Sequence, residues 1–357
     1  MHPARIIGSR SGSGQGITPP SDSSHVRFDV DHDVDEDEWQ SLADRCSFAT
    51  FFHTPLWLRL FTQTRPQVRI ATKKFRFEED KVAIFPLLER NRLMGLSRVH
   101  TSTAASCYGG WVCADTLFPE QILAMTRWIF DHCGNLVWRV NPLQPLVDLL
   151  DPFTTELDTT EILDLSPFED ENALRMHYKH SVRKQVNKGI RAGLRAAPAE
   201  TWEEWEQYFA IYQKRLQGWG AGATSRYSID LFRSIFDAQS PSVKLWVASK
   251  DGEIIGGNLN FYHGRHCVEW HAAYNEAYFA CGVRDFLVDW IIQDARVRGF
   301  TYYDFNPSGG HEGARQFKQT FGTTSMPSNL IVRRQGLYRM ESLRKAYRRM
   351  GRLRGAS

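Results

Sequence analysis

The chain has 357 residues, 42% hydrophobic and 24% charged, with a formal net charge of +3. That length allows two domains with separate cores, and the near balance of charge excludes a polycation. The longest apolar run, Val82 to Leu88, falls far short of the roughly 20 residues of a spanning helix. Six scattered cysteines with no C-x-x-C pair exclude a zinc ribbon or a disulfide scaffold and point to a reducing cytoplasm.

Residues 1–24 are rich in Gly, Ser and Pro and read as a disordered tail. Asp29 to Glu38 places seven carboxylates in ten positions, read as the acidic first turn of a helix through Trp39, Leu42 and Ala43. A second helix follows, with Thr54 as its N-cap and Pro55 in its first turn. Val68 to Phe77 and Lys81 to Glu89 are expected as a strand pair, then the glycines of Tyr108-Gly109-Gly110. A helix over Pro119 to Cys133 and a strand over Leu136 to Val140 close the first half.

The second half opens with a strand at Glu161 to Leu165 and a basic helix from Tyr178 to Arg191, stopped by Gly193. Helices over Trp202 to Gln217 and Ile229 to Ala238 precede a meander of three strands. These are Val243 to Ser249, Ile254 to Tyr262 and Cys267 to Tyr274, with a hairpin signal at Asp251-Gly252. A helix (Val283 to Arg298), a strand (Thr301 to Phe305), a glycine-bearing loop and a last strand (Leu330 to Val332) follow. Beyond residue 335, Leu337, Met340, Leu343, Tyr347 and Met350 recur at helical spacing between arginines, predicting a basic amphipathic helix.

This order of elements resembles the GNAT acyltransferase fold. Tyr178-Lys-x-x-x-Arg183-Lys-x-x-x-Lys188, Gly256-Gly257 and Phe317-Lys318-x-x-Phe321-Gly322 are similar to the Fem family of peptidyltransferases and its BioF2-like relatives. Phe52-His-Thr-Pro-x-Trp57 and Tyr108-Gly-Gly extend that resemblance over about residues 27–334. It implies an α/β chain of two GNAT-like domains, each a mixed, mostly antiparallel sheet flanked by helices. The domains are expected at 25–158, on the acceptor side, and 159–334, on the acyl-transfer side. Fem enzymes move an aminoacyl group from charged tRNA to a peptidoglycan precursor. The resemblance therefore implies an acyl donor, acyl-CoA or aminoacyl-tRNA, and an amine-bearing acceptor, with no tightly bound cofactor and no metal.

By the same resemblance, Lys318 is the catalytic lysine and Arg59 a phosphate-binding residue. The sequence departs from the family at Gly218, where a second phosphate-binding arginine is expected, and at Glu269, Trp270 and His271, which replace tyrosines. No room exists between Gly193 and Thr201 for the coiled-coil arm that some Fem enzymes carry.

Acyl transfer creates an oxyanion, which a lysine between Phe317 and Phe321 is suited to stabilise, although a lysine on a solvent-facing turn is the common alternative. Glu269 and His271, two apart on one strand, are candidate general bases or a cross-strand polar pair. Asn306 offers a donor to the acyl oxygen or simply makes a turn. Tyr108, Gly109 and Gly110 line an acceptor groove or serve packing. Gly282, Val283 and Arg284 precede a helix whose free N–H groups suit a pyrophosphate. The basic tail suits an anionic membrane or nucleic acid, so a non-catalytic binding protein is the competing class. A cytoplasmic protein, peripheral at the inner membrane face, is the expected location.

Overall fold

The computed structural model describes residues 26–92, 97–105, 107–219 and 226–336. The expected disordered tail and most of the amphipathic C-terminal helix lie outside these residues.

The first half runs β1 (Phe28–Asp31), α1 (Glu36–Arg45), α2 (Pro55–Gln63), β2 (Val68–Ile70), β3 (Lys73–Phe77), β4 (Val82–Phe85), β5 (Leu88–Arg92), β6 (Ser97–Ser102), α3 (Pro119–Cys133) and β7 (Leu136–Arg139). The second continues with β8 (Thr159–Asp164), α4 (Glu171–His177), α5 (His180–Arg191), β9 (Arg195–Pro198), α6 (Trp202–Trp219), α7 (Ile229–Asp237), β10 (Val243–Lys250), β11 (Glu253–His263), β12 (His266–Tyr274), α8 (Val283–Val297), β13 (Tyr302–Asp304), α9 (Glu312–Gln319), β14 (Thr324–Pro327) and β15 (Leu330–Arg333).

Each half repeats one unit. In the first, β6 leads through α3 into β7, its parallel neighbour. In the second, β12 leads through α8 into β13, again parallel, while the remaining pairings of the sheet are antiparallel. The second half builds a seven-stranded sheet, ordered β14-β8-β13-β12-β11-β10-β9. The first builds a three-stranded sheet, β1-β3-β4, and a five-stranded sheet, β15-β7-β6-β5-β2. Two GNAT-like domains, each with a mixed sheet and flanking helices, are the result.

Five local expectations are corrected. Asp29 and Asp31 lie in β1; only Glu36, Asp37 and Glu38 occupy the first helical turn, which Asp35 caps by accepting the Glu38 N–H at 2.8 Å. The expected strand Val68 to Phe77 is two strands in different sheets. Lys81 to Glu89 also divides, where Pro86 cannot donate a ladder hydrogen bond. The basic helix starts at His180, because Tyr178 closes α4 instead. The last strand, expected in the second domain, pairs with β7 and so completes the first domain's sheet.

The seam between halves has an aromatic core. Phe51 stacks on Phe261 with centroids 4.7 Å apart, and Trp57 meets Trp270 edge-on at 5.4 Å. Such ring pairs add about 0.5–1.5 kcal/mol beyond the area they bury. A second core, on the opposite face of the large sheet, joins α5 and α8 through Val182, Val186, Phe286 and Ile291.

Candidate active site

Lys318 sits in the last turn of α9, 8% exposed, on a helix otherwise rich in polar residues. Its Nζ donates to the Asn306 carbonyl at 2.6 Å. Burial lowers its pKa, opposed by Glu269, Asp304 and Glu161. A buried ammonium facing carboxylates from three different strands is not a lysine on a solvent-facing turn.

Each carboxylate is held differently. Glu269, on β12, accepts from Asn258 Nδ2 at 2.8 Å and from the Tyr303 hydroxyl at 3.1 Å, and burial raises its pKa. Glu161, on β8, accepts from Ser325, Thr323 and Gln319. Asp304, at the end of β13, is the group that sequence reasoning missed. Its Oδ1 accepts from the Asn306 N–H at 2.7 Å, the Thr160 hydroxyl at 2.9 Å and the Tyr108 hydroxyl at 3.0 Å. Burial pushes its pKa up to about 6. A lone Asp at a predicted strand end gives one signal, its place directly before the glycine-bearing loop.

Asn306 is the hinge of the cluster. Its backbone is left-handed, φ 59°, a conformation asparagine tolerates. Asp304 holds its N–H and Lys318 its carbonyl. Its side-chain Oδ1 is buried without a hydrogen-bond partner. A cleft of about 700 Å³ opens at the seam beside this cluster, lined by Leu150 and Asp158 from one side and Ser308, His311 and Arg315 from the other. Lys318 does not line it, but shares α9 with Glu312 and Arg315, and the Asp158 charge acts on it.

The other predicted site residues divide. Tyr108 is fully buried and reaches the cluster from the first half. Gly109 and Gly110 are buried where a side chain has no space: an added Cβ would meet the Ser102 hydroxyl at 2.3 Å and the Gln144 amide oxygen at 2.8 Å. Phe317 lies beneath the Arg284 guanidinium, 3.6 Å from ring centre to carbon, whereas Phe321 is a core residue packed on Tyr178 and Phe305. Arg59 is ion-paired with Glu36 on α1 rather than brought to the lysine cluster.

His271 is corrected as Glu269's partner. A bulge opposite Leu259 and Asn260 lets β12 slip one residue, pairing Leu259 with His271 and Asn260 with Glu269. Glu269 stays on the face of Asn258 and Tyr303, while His271 turns to the other face among Tyr208, Tyr212 and Phe232. There burial lowers its pKa to about 3, and its Nδ1 lies 2.6 Å from the Tyr208 hydroxyl.

The pyrophosphate cradle expected at α8 is also corrected. Gly282 has φ +75°, and an added Cβ would lie 2.5 Å from the Gln185 carbonyl of α5. Its N–H already donates to Phe279, and Val283 is wholly buried. Helix α5 therefore packs closely on Gly282 at the start of α8, while Arg284 is exposed.

Residues 177–319 match the family model described as an acetyltransferase (GNAT) domain. The crystal structure of FemX superposes with a TM-score of 0.67, covering 87% of this chain and 99% of that one at 12% identity. The chain has the Fem-like GNAT fold. The structure of L-PGS from Bacillus licheniformis gives a TM-score of 0.53 at 14% identity, covering 84% of this chain and 92% of its own. A conserved protein of unknown function from Bacteroides thetaiotaomicron gives 0.52 at 11%, covering 86% and 100%. No curated protein matches the sequence. In this Fem-like fold, Lys318 and Asp304 stand at the carboxyl end of the parallel strand pair in the domain that the family model matches.

Proposed function

We propose that this chain is an N-acyltransferase that moves an acyl group from an activated donor to an amine. The observation that carries the reading is the buried Lys318 ammonium, fixed on the Asn306 carbonyl and facing Glu269 and Asp304. Attack of the amine on the donor carbonyl forms a tetrahedral oxyanion. Lys318 supplies a preorganised positive charge to it in a water-poor setting, and such a group contributes about 2.7–4 kcal/mol. The attacking amine sheds a proton as the bond forms. Asp304, whose Oδ1 is occupied by three donors, takes it on the remaining oxygen; Glu269, raised by burial, is the other acceptor within the field of Lys318. Collapse of the intermediate expels the donor's leaving group and completes the amide.

The donor is an acyl-CoA thioester or an aminoacyl-tRNA. The second is favoured because the Gly282 N–H of the expected cradle already donates to the Phe279 carbonyl and is not free for a CoA pyrophosphate. The acceptor is an amine of a cell-envelope precursor or polysaccharide. Among the described residues no helix is long and apolar enough to cross a membrane, and such an acceptor would be met at the inner membrane face.

Thermal shift of the full chain with acetyl-CoA, longer acyl-CoAs and a pool of charged tRNA tests the donor, since a ligand that binds the native state raises the melting temperature. Stabilisation by a donor, absent with its deacylated form, supports the reading. Indifference to every donor overturns it in favour of a non-catalytic binding protein.

A further inference from the structure

Away from the lysine cluster, the first domain carries a polar cavity of about 640 Å³ between β2, β3, β6 and the last turn of α3. Its lining includes Arg69, Lys73, Arg98, His100, His132 and one carboxylate, Glu89. Glu89 is buried, and both its oxygens are occupied. Oε1 takes Arg69 at 2.8 Å, and Oε2 lies 3.3 Å from His100 Nε2. The other His100 nitrogen, Nδ1, is 2.9 Å from the Cys133 carbonyl. Glu89 thus orients Arg69 and His100 along one wall.

Lys73 and Arg98 have no ion-pair partner within 4 Å among the described residues. Lys73 is half-buried, and loss of hydration lowers its pKa. Two arginines and a lysine against one carboxylate leave a surplus of two positive charges around the cavity. His132 stacks on Trp128 at 3.9 Å and 13°, giving the cavity a flat aromatic edge.

We propose that this cavity binds a phosphate-bearing small molecule, with Lys73 and Arg98 as its direct cationic contacts and Arg69 and His100 held in place by Glu89. A phosphate brings close to two negative charges at neutral pH, which matches the surplus. The site is separate from the acyl chemistry and does not depend on it.

Isothermal titration of the full chain with inorganic phosphate and with pyrophosphate, at fixed ionic strength with chloride as background, tests the assignment. Saturable one-site binding is expected, weakened at least tenfold in Arg98→Ala and in Lys73→Met, which keeps most of the buried stem. Lys318→Ala should bind as the wild type does. Absence of saturable binding overturns the proposal. So does binding that survives both cavity substitutions, or that is lost with Lys318→Ala, which would move the anion to the acyl-transfer cluster.

Discussion

The Lys318 ammonium donates to the backbone carbonyl of Asn306 at 2.6 Å, and the Asn306 N–H donates in turn to Asp304 at 2.7 Å. One left-handed residue therefore ties the cation to the carboxylate. Removing the cation should remove transition-state stabilisation with little change in donor affinity. Lys318→Ala is expected to lower kcat by about 10²–10³-fold, measured by steady-state acyl transfer. Lys318→Arg should not restore it, because a planar fork cannot replace a point charge on a single carbonyl.

Asp304 sets a pH dependence whose sign follows from its upward shift from 3.8 to about 6. The folded protein binds this proton more tightly than the unfolded chain does. The stability it brings is full below pH 3.8 and is lost as the pH rises through about 6. At neutral pH the buried charge costs roughly 3 kcal/mol, from about 1.36 kcal/mol per pH unit. Chemical denaturation between pH 4 and 7.5 should show this component in the wild type and not in Asp304→Asn. Activity of Asp304→Asn should lose its acid limb near pH 6.

Tyr108 and Asp304 form a hydrogen bond between the two halves. Tyr108→Phe leaves the ring in place and deletes one donor to a carboxylate. The expected loss is about 1.5–3 kcal/mol in unfolding free energy, read from the denaturation midpoint at pH 7.5.

His271 lies on the face of β12 away from Glu269, with its pKa down at about 3. His271→Gln should therefore leave the pH profile of acyl transfer unchanged while lowering stability. A lost acid limb in that variant would return His271 to the chemistry as a general base.

Gly282 meets the Gln185 carbonyl at a positive φ. Gly282→Ala should destabilise the chain by more than about 1 kcal/mol, measured by thermal unfolding, since both the contact and the backbone oppose a side chain.

The periodic helices and strands of the sequence were largely legible, and so was the lysine between two phenylalanines. Short elements were not. β1 hid within an acid-rich stretch, and β14 within Thr324 to Pro327, because both gain their stability from pairing and not from local pattern. The β12 bulge could not be read from residue types, and it alone separates Glu269 from His271. Asp304 escaped notice because its role comes from Tyr108 and Thr160, which lie 196 and 144 residues away along the chain.

The central claim is amide formation beside Lys318. Its most direct test is mass-spectrometric detection of acylated amine when the full chain is incubated with acetyl-CoA or charged tRNA and a panel of amino-bearing envelope precursors. Acylated product from the wild type, reduced at least about 100-fold in Lys318→Ala, is the expected result. Product formed equally by both proteins would contradict the account.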